Sequence, residues 1–169
     1  MNQLRFAAAA LILATVAATS GQRVAIADDK DKLVGTWKLV SAVSEDLATS
    51  QQTNIYKGTP VGFITYGVDG RVMTIIVDSE RKKPTANIAT AAEAEALFRS
   101  MAAYAGTYTV KGNQVIHVPD VSWNETWTGT DQIRDYKFDG ERLLLATAPS
   151  PNPFTGKMSV RTLVWEKIK

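Results

Sequence analysis

A lone histidine within a run of β-branched residues is the side chain in this sequence best suited to chemistry. His117 is flanked by Ile116 and Val118, and strand alternation places it on the same face as Val115. An imidazole on such a face could hydrogen-bond to a ligand or transfer a proton near neutral pH. It could equally be a hydrogen-bonded structural residue, and the sequence leaves these interpretations open.

Arg134 is the second candidate, because it lies two residues before Tyr136 and shares a strand face with it. An inward arginine is costly to bury unless it is paired. We therefore expect Arg134 to bind an anionic group of a ligand or to form an internal ion pair. Glu125 and Asp120 are the candidate acids for the ion pair. Aromatic side chains are the other candidate ligand contacts, and each of them could instead pack in the core. They are Tyr66, Tyr108, Tyr136, Trp123 and Trp127.

Several kinds of catalytic and metal site are excluded or disfavoured. Ser122 and Asp120 lie too close to His117 in sequence to converge on one substrate atom, and there is no G-x-S-x-G motif. The chain has no cysteine and a single histidine, which excludes disulfides, thiolate metal sites and multi-histidine metal centres. We therefore assign no catalytic residue and expect no metal or cofactor.

The first residues predict export. Phe6–Ala18 is an apolar run of signal-peptide length, too short to span a bilayer. Small residues at Ala25 and Ala27 predict a signal peptide over 1–27, with cleavage after Ser20 as the alternative. The competing interpretation is a buried first helix. We thus expect a periplasmic or secreted protein without stable membrane insertion, whose single domain covers 28–169.

Composition and charge fit one globular domain that does not bind nucleic acid. The 169 residues are 45% hydrophobic and 21% charged, with a formal net charge of +2. Both surplus positive charges, Arg5 and Arg23, lie in the predicted signal peptide. Beyond the short run at 81–83 there is no basic block, so no electrostatic surface for nucleic acid or anionic lipid is expected.

The elements that position these residues are short strands separated by turn dipeptides. Asp69-Gly70, Gly112-Asn113 and Asp139-Gly140 are typical of tight hairpins, which predicts an antiparallel meander. The predicted strands are Leu33–Val43, Val61–Val68, Arg71–Asp78, Tyr104–Val110, Gln114–Val118, Gln132–Asp139, Arg142–Thr147 and Ser159–Lys167, with Thr53–Lys57 and Ser122–Trp127 as shorter candidates.

Two segments depart from the strand pattern. Thr90–Ala103 is rich in alanine, and Thr90 with Glu93 has capping-box spacing, so it predicts one helix packed on the sheet or across a barrel mouth. Pro149–Gly156 contains three prolines and predicts a stiff loop at a barrel rim.

Gly35-Thr36-Trp37 has the G-x-W pattern of lipocalins, and the order of later motifs resembles the bacterial and fungal lipocalin-like domain family. This resemblance implies an all-β, antiparallel up-and-down barrel of about eight to ten strands. It implies that Gly35 bends the chain at the closed end and Trp37 plugs that end, while Trp165 seals the last strand. Arg161 is the candidate for the late arginine that stacks on the tryptophan in lipocalins. The motifs are Trp37–Ser41, Gly62–Tyr66, Tyr104–Tyr108, Trp127–Gly129 and Trp165-Glu166.

Three functions follow from this resemblance and these residues. The first is an exported protein that binds a small, mainly hydrophobic molecule inside the barrel. The second is a calycin-type isomerase, cyclase or hydrolase with His117 or Tyr66 as the acid or base. The third is a structural or interaction module whose barrel is filled by its own side chains. The direction of His117 and the space around it separate these alternatives.

Overall fold

The computed structural model describes residues 29–152 and 155–168. The predicted signal peptide over 1–27 and its cleavage site at Ala27 lie outside the described residues. The described chain starts with a short helical stretch over 29–33, in which Leu33 is fully buried. Among the described residues, no helix has the length and apolar character needed to cross a membrane.

After the helical stretch over 29–33, the described residues form ten strands, one longer α-helix and a single 3-10 turn. Every strand pairing is antiparallel. The elements are β1 (Gly35–Asp46), β2 (Gln52–Asn54), β3 (Val61–Tyr66), β4 (Arg71–Val77), α1 (Ala91–Arg99), β5 (Met101–Lys111), β6 (Gln114–Ser122), a single 3-10 turn (Glu125–Trp127), β7 (Gln132–Asp139), β8 (Arg142–Thr147), β9 (Ser150–Pro151) and β10 (Met158–Lys167).

The sheet closes on itself because β1 pairs with β3 on one side and with β10 on the other. Leu39 lies opposite Trp165 in this closing pair, and an irregularity between Leu39 and Ser41 shifts the register. The strands β1, β3 to β8 and β10 form an eight-stranded barrel, to which β2 and β9 are short edge additions. The predicted all-β antiparallel barrel is confirmed.

Local turn chemistry produces the meander. Gly70, Gly112 and Gly140 have φ angles of 82°, 60° and 59°, in the left-handed region that tight hairpins require. Each of the three predicted hairpins therefore forms where the dipeptides place it, and β7 and β8 have the predicted bounds.

Inward side chains divide the barrel into two halves of different character. The closed half, where the chain enters β1, is filled by large residues. The open half lies at the other end, and apart from Ile76 its buried inward residues are mostly small or polar. The closed half contains Trp37, Leu39, Ile64, Tyr66, Val72, Tyr108, Val115, Tyr136, Leu143 and Trp165, and the open half contains Ser44, Gly62, Thr74, Thr147 and Ser159.

Trp37 is buried in the closed half. Its side chain is only 3% exposed, and its indole Nε1 donates to the Leu33 carbonyl oxygen at 2.8 Å. Gly35 precedes it with φ 125°, and a Cβ at Gly35 would lie 2.9 Å from Cε of Lys167. The cation over the Trp37 ring is Lys167, whose Nζ is 5.1 Å from the ring centroid. The expectation that Arg161 occupies this place is wrong, because Arg161 lies near the other end of β10.

The predicted helix ends earlier than expected. Its capping box between Thr90 and Glu93 is present, but α1 stops at Arg99 and has no buried residue. Met101 and the following alanines instead pair with β4, with Met101 opposite Val77. Sheet pairing along a full strand therefore overrides the helix propensity of these alanines.

The turn after β6 and the proline-rich segment also differ from the sequence prediction, as do the ends of β1 and β2. The candidate strand Ser122–Trp127 does not form, because β6 continues to Ser122 and the 3-10 turn follows, with the Asn124 side chain accepting from the Thr126 backbone N–H at 3.2 Å. The proline-rich segment contains the two-residue strand β9, where Pro151 lies opposite Met158 at the sheet edge that a proline tolerates.

Candidate functional site

A histidine bonded on both sides to tyrosines lies inside the barrel. His117 is fully buried, its Nε2 lies 2.9 Å from Oη of Tyr66, and its Nδ1 lies 2.7 Å from Oη of Tyr104. The three side chains come from β6, β3 and β5. In the sheet, β5 is next to β6, whereas β4 and β5 separate β3 from β6. Only the curvature of the barrel therefore brings Tyr66 and Tyr104 to the same imidazole ring.

Burial determines which way the protons point in this triad. Tyr66 is fully buried, and His117 is the only described hydrogen-bond partner of its hydroxyl. A buried hydroxyl that did not donate would be costly, so the Tyr66 O–H donates to Nε2. The neutral ring then donates from Nδ1–H to the Tyr104 oxygen. With this arrangement of protons, the Tyr104 O–H has no acceptor among residues 29–152 and 155–168.

The triad stays uncharged near neutral pH. Burial, and secondarily the nearby Arg134 charge, lower the pKa of His117 to about 3. Burial also raises the pKa of Tyr104 to about 12 and that of Tyr66 well above its usual value, with Arg134 offsetting part of each shift. The three groups therefore offer hydrogen bonds rather than charge.

Arg134 supplies the positive charge next to this triad. It lies on β7 opposite Val115 of β6 and Thr147 of β8, so its side chain is on the interior face, at the boundary between the closed and open halves. Its guanidinium Nη1 donates to the Ile133 carbonyl oxygen at 2.8 Å.

The acids considered as partners of Arg134 are engaged elsewhere. Asp120 forms an exposed ion pair with Arg71, and Glu125 is exposed and accepts from the Thr128 hydroxyl at 3.3 Å. Within residues 29–152 and 155–168, no carboxylate is paired with Arg134. The internal ion pair that the sequence allowed is therefore not formed in the described part of the chain.

A second arginine, Arg161 on β10, points into the same half of the barrel. Its backbone N–H donates to Oγ1 of Thr147 at 3.1 Å, and its Nη2 donates to Oγ of Ser150 at 2.9 Å. Its Nε is buried and has no hydrogen-bond partner among the described residues. Burial, then repulsion by Arg134, lower the pKa of Arg161, so the two positive charges act on each other.

The predicted aromatic contacts fall into two groups. Trp127 lies at the mouth with its ring 5.9 Å from that of Tyr104, and Trp123 contacts it at 5.0 Å. Tyr108 and Tyr136 lie toward the closed half instead, where their hydroxyls donate to the carbonyl oxygens of residues 67 and 112. The structure thus brings Tyr66, His117, Arg134 and Trp127 to one region and leaves Tyr108 and Tyr136 in the packed core.

Three residues of this cluster are not among the ligand contacts predicted from the sequence. Tyr104 shares a strand face with Tyr108, four residues on, and Arg161 shares one with Trp165. This alternation along a strand was the signal available in the sequence. It shows which side chains share a face, but it does not show which strands face each other across a barrel. Tyr56, which follows β2, is a third such residue: burial raises its pKa to about 12, and Arg161 offsets part of this shift.

Two solvent-open clefts lie apart from His117 and the two arginines, and the second of them also touches Tyr104 and Trp123. One of about 520 Å³ is at the closed end, lined by Lys32, Trp37, Phe138 and Lys167 among others. The other, of about 510 Å³, is lined mainly by residues on the outer face of β3 to β6, including outward-facing apolar side chains such as Phe63, Met73, Ile75 and Val121. Neither contains His117, Arg134 or Arg161. No group of three or more potential metal ligands occurs in the described ranges.

Comparison with protein families gives one result that covers nearly the whole described chain. A family model described as a lipocalin-like domain matches residues 34–168. A search of curated proteins finds no match. The matched range includes all ten strands and every residue of the cluster around His117.

Proposed function

The chain belongs to the lipocalin-like domain family, and on that premise we propose that its barrel binds a small, mainly hydrophobic molecule in the open half of the interior. An eight-stranded barrel is just wide enough to be filled by side chains or to hold one small ligand. Which of the two applies depends on the size of the inward residues at each level.

The main observation behind this proposal is that the inward side chains become smaller along the barrel axis. The closed half contains two tryptophans and three tyrosines, whereas the inward positions of the open half include Ser44, Thr74 and Thr147. Ala102 and Ser159 continue this set on β5 and β10. Small side chains at one level of a narrow barrel leave room that large ones remove, so the open half is where a ligand fits.

The polar groups at this level suit recognition of a ligand better than proton transfer. Both ring nitrogens of His117 are bonded to tyrosines, and its pKa of about 3 makes it a poor base near neutral pH. Tyr66 is fully buried behind it. The free Tyr104 hydroxyl and the ring of Trp127 are the groups placed to contact a bound molecule. These contacts favour a binding protein over the catalytic alternative.

Export is the second part of the proposal. It rests on the N-terminal apolar run and the small residues before Asp28, which are typical of a signal peptide. A periplasmic or secreted barrel would then carry or sequester its ligand outside the cytoplasm. Mass spectrometry of the mature protein from its own source would give the N-terminal residue, which we expect to be Asp28 or, after the alternative cleavage, Gly21.

The test of binding combines extraction with a blocking variant. Native mass spectrometry of the purified protein should show a bound small molecule, and the neutral dye Nile red should fluoresce in its presence. Ala102→Trp fills the open half and should abolish dye binding. Ala103→Trp places the same ring on the opposite strand face and should leave binding intact. Absence of a bound molecule and of dye binding in the wild-type protein would favour a filled structural barrel.

A further inference from the structure

Two arginines without an acidic partner among the described residues share one level of the barrel interior. Arg134 lies opposite Thr147 on the neighbouring strand, and Arg161 donates its backbone N–H to the Thr147 hydroxyl. Their backbones are thus two strand spacings apart, about 10 Å. Registered neighbours project from the same face of a sheet, so both long side chains extend into the open half.

The described residues leave this pair of charges uncompensated. Neither guanidinium contacts a carboxylate among residues 29–152 and 155–168. The carboxylate of Asp46, at the end of β1, is already bonded to Lys157 and to the backbone N–H groups of Ala48 and Thr49. Burying like charges together is unfavourable unless an anion joins them.

The hydrogen bonds of the two guanidinium groups also favour a bound anion, because they use only part of the available donors. Arg134 donates one hydrogen bond to the carbonyl oxygen of Ile133, and Arg161 donates one to the hydroxyl oxygen of Ser150. Nε of Arg161 is buried without a partner. Arg81 Nε and Trp165 Nε1 are also buried without a described partner, but only the Arg161 guanidinium shares its level with a second unpaired arginine, so a bound anion could supply its acceptor.

We propose that Arg134 and Arg161 together bind the oxyanionic head group of an amphiphilic ligand, whose apolar part lies among the small side chains of the open half. This inference rests on the proposed function, because it names the class of molecule that the barrel binds. The planar donors of two guanidinium groups match the oxygens of a carboxylate or of a phosphate monoester. The spare O–H of Tyr104 is an additional donor toward the same level.

The test compares ligands that share one chain and differ in head group. Displacement of Nile red gives the affinities of dodecanol, dodecanoate and dodecyl phosphate near neutral pH. We expect at least one of the two anions to bind about tenfold or more tightly than dodecanol, since each charge-assisted hydrogen bond adds substantially to binding. The better anion identifies the head group as carboxylate or phosphate.

Variants assign the preference to the two arginines. Arg134→Gln and Arg161→Gln should each remove most of the anion preference while dodecanol still binds. Arg142→Gln is the matched control, because Arg142 is an exposed arginine on β8 with its guanidinium near Glu166. If a glutamine variant does not fold, the lysine variant replaces it and should reduce the preference several-fold, since an ammonium group lacks the planar fork.

The possible failures are distinguishable. Equal affinity for dodecanol and both anions would overturn the head-group assignment and leave the proposed binding function standing. A preference that survives in both arginine variants would overturn the role of these two residues. Failure of all three ligands and of Nile red to bind would overturn the proposed function, and the head-group inference with it.

Discussion

Lowering the pH should destabilise this protein through a single buried side chain, His117. In the folded state its pKa is about 3, because burial and then the Arg134 charge disfavour the protonated ring. In the unfolded chain the pKa returns to about 6.5. The groups facing the ring are Tyr66 from β3, Tyr104 from β5 and Arg134 from β7, and none of them is an acid that would stabilise a positive charge.

The sign and size of the effect follow from proton linkage. As the pH falls below 6.5 the unfolded chain binds a proton at His117 and the folded chain does not, so the free energy of unfolding decreases. The full stability is present above 6.5 and is lost progressively toward pH 3. The slope is about 1.4 kcal/mol per pH unit, so about two units below 6.5 the loss is about 3 kcal/mol. That is a large part of the stability of an ordinary domain.

Urea unfolding followed by tryptophan fluorescence measures this slope. His117→Gln is the matched variant, because a glutamine amide also has a donor and an acceptor for the two tyrosine hydroxyls but does not titrate. The chain has a single histidine, so the difference between the wild-type and variant pH profiles isolates His117 from the carboxylates. We expect that difference to change by about 3 kcal/mol over two pH units below 6.5.

Two results would refute this reasoning. An NMR titration of the folded protein with a His117 midpoint near 6.5 would show that the ring is accessible to protons. A wild-type minus variant difference that does not change with pH would show that folding leaves the pKa of His117 unaltered. Either result would also remove the argument that the triad is uncharged near neutral pH.

Three other substitutions test the fold. Trp37→Ala should lower the free energy of unfolding by about 3 to 5 kcal/mol, because it leaves a cavity in the closed half. Trp123→Ala is the control, and a melting temperature of Trp37→Ala as little altered as that of the control would contradict this role of Trp37. The pairing of β5 with β6 has a register irregularity between Ala105 and Gly106. Gly106→Ala should destabilise the barrel by about 3 kcal/mol or more in urea unfolding, because its Cβ would meet the backbone of the adjacent strand, 2.6 Å from Cα of Pro119. Wild-type stability of this variant would show that the irregularity can shift to make room. Arg71→Gln breaks the ion pair with Asp120 and should cost less than about 1 kcal/mol, since both side chains are exposed; a larger loss in thermal unfolding would show that the pair holds β4 and β6 together.

Much of the architecture could be predicted from local patterns. The bounds of β7 and β8 and the three glycine hairpins follow from alternation and turn residues, which are properties of short segments. The capping box at Thr90 is equally local. The end of the helix was predicted wrongly because pairing of Met101 with Val77, a long-range contact, decides where β5 begins.

The site could be predicted only in part. Sequence parity identified His117, Arg134 and Tyr66 as inward candidates, and the apolar run before Asp28 remains a sequence-only indication of export. The tertiary structure alone decided that Tyr104 and Tyr66 hold the two ring nitrogens of His117, and that Arg161 faces Arg134 rather than Trp37. The physical reason is that alternation fixes the face of a sheet on which a side chain lies, whereas closure of the barrel fixes which side chains meet across its interior.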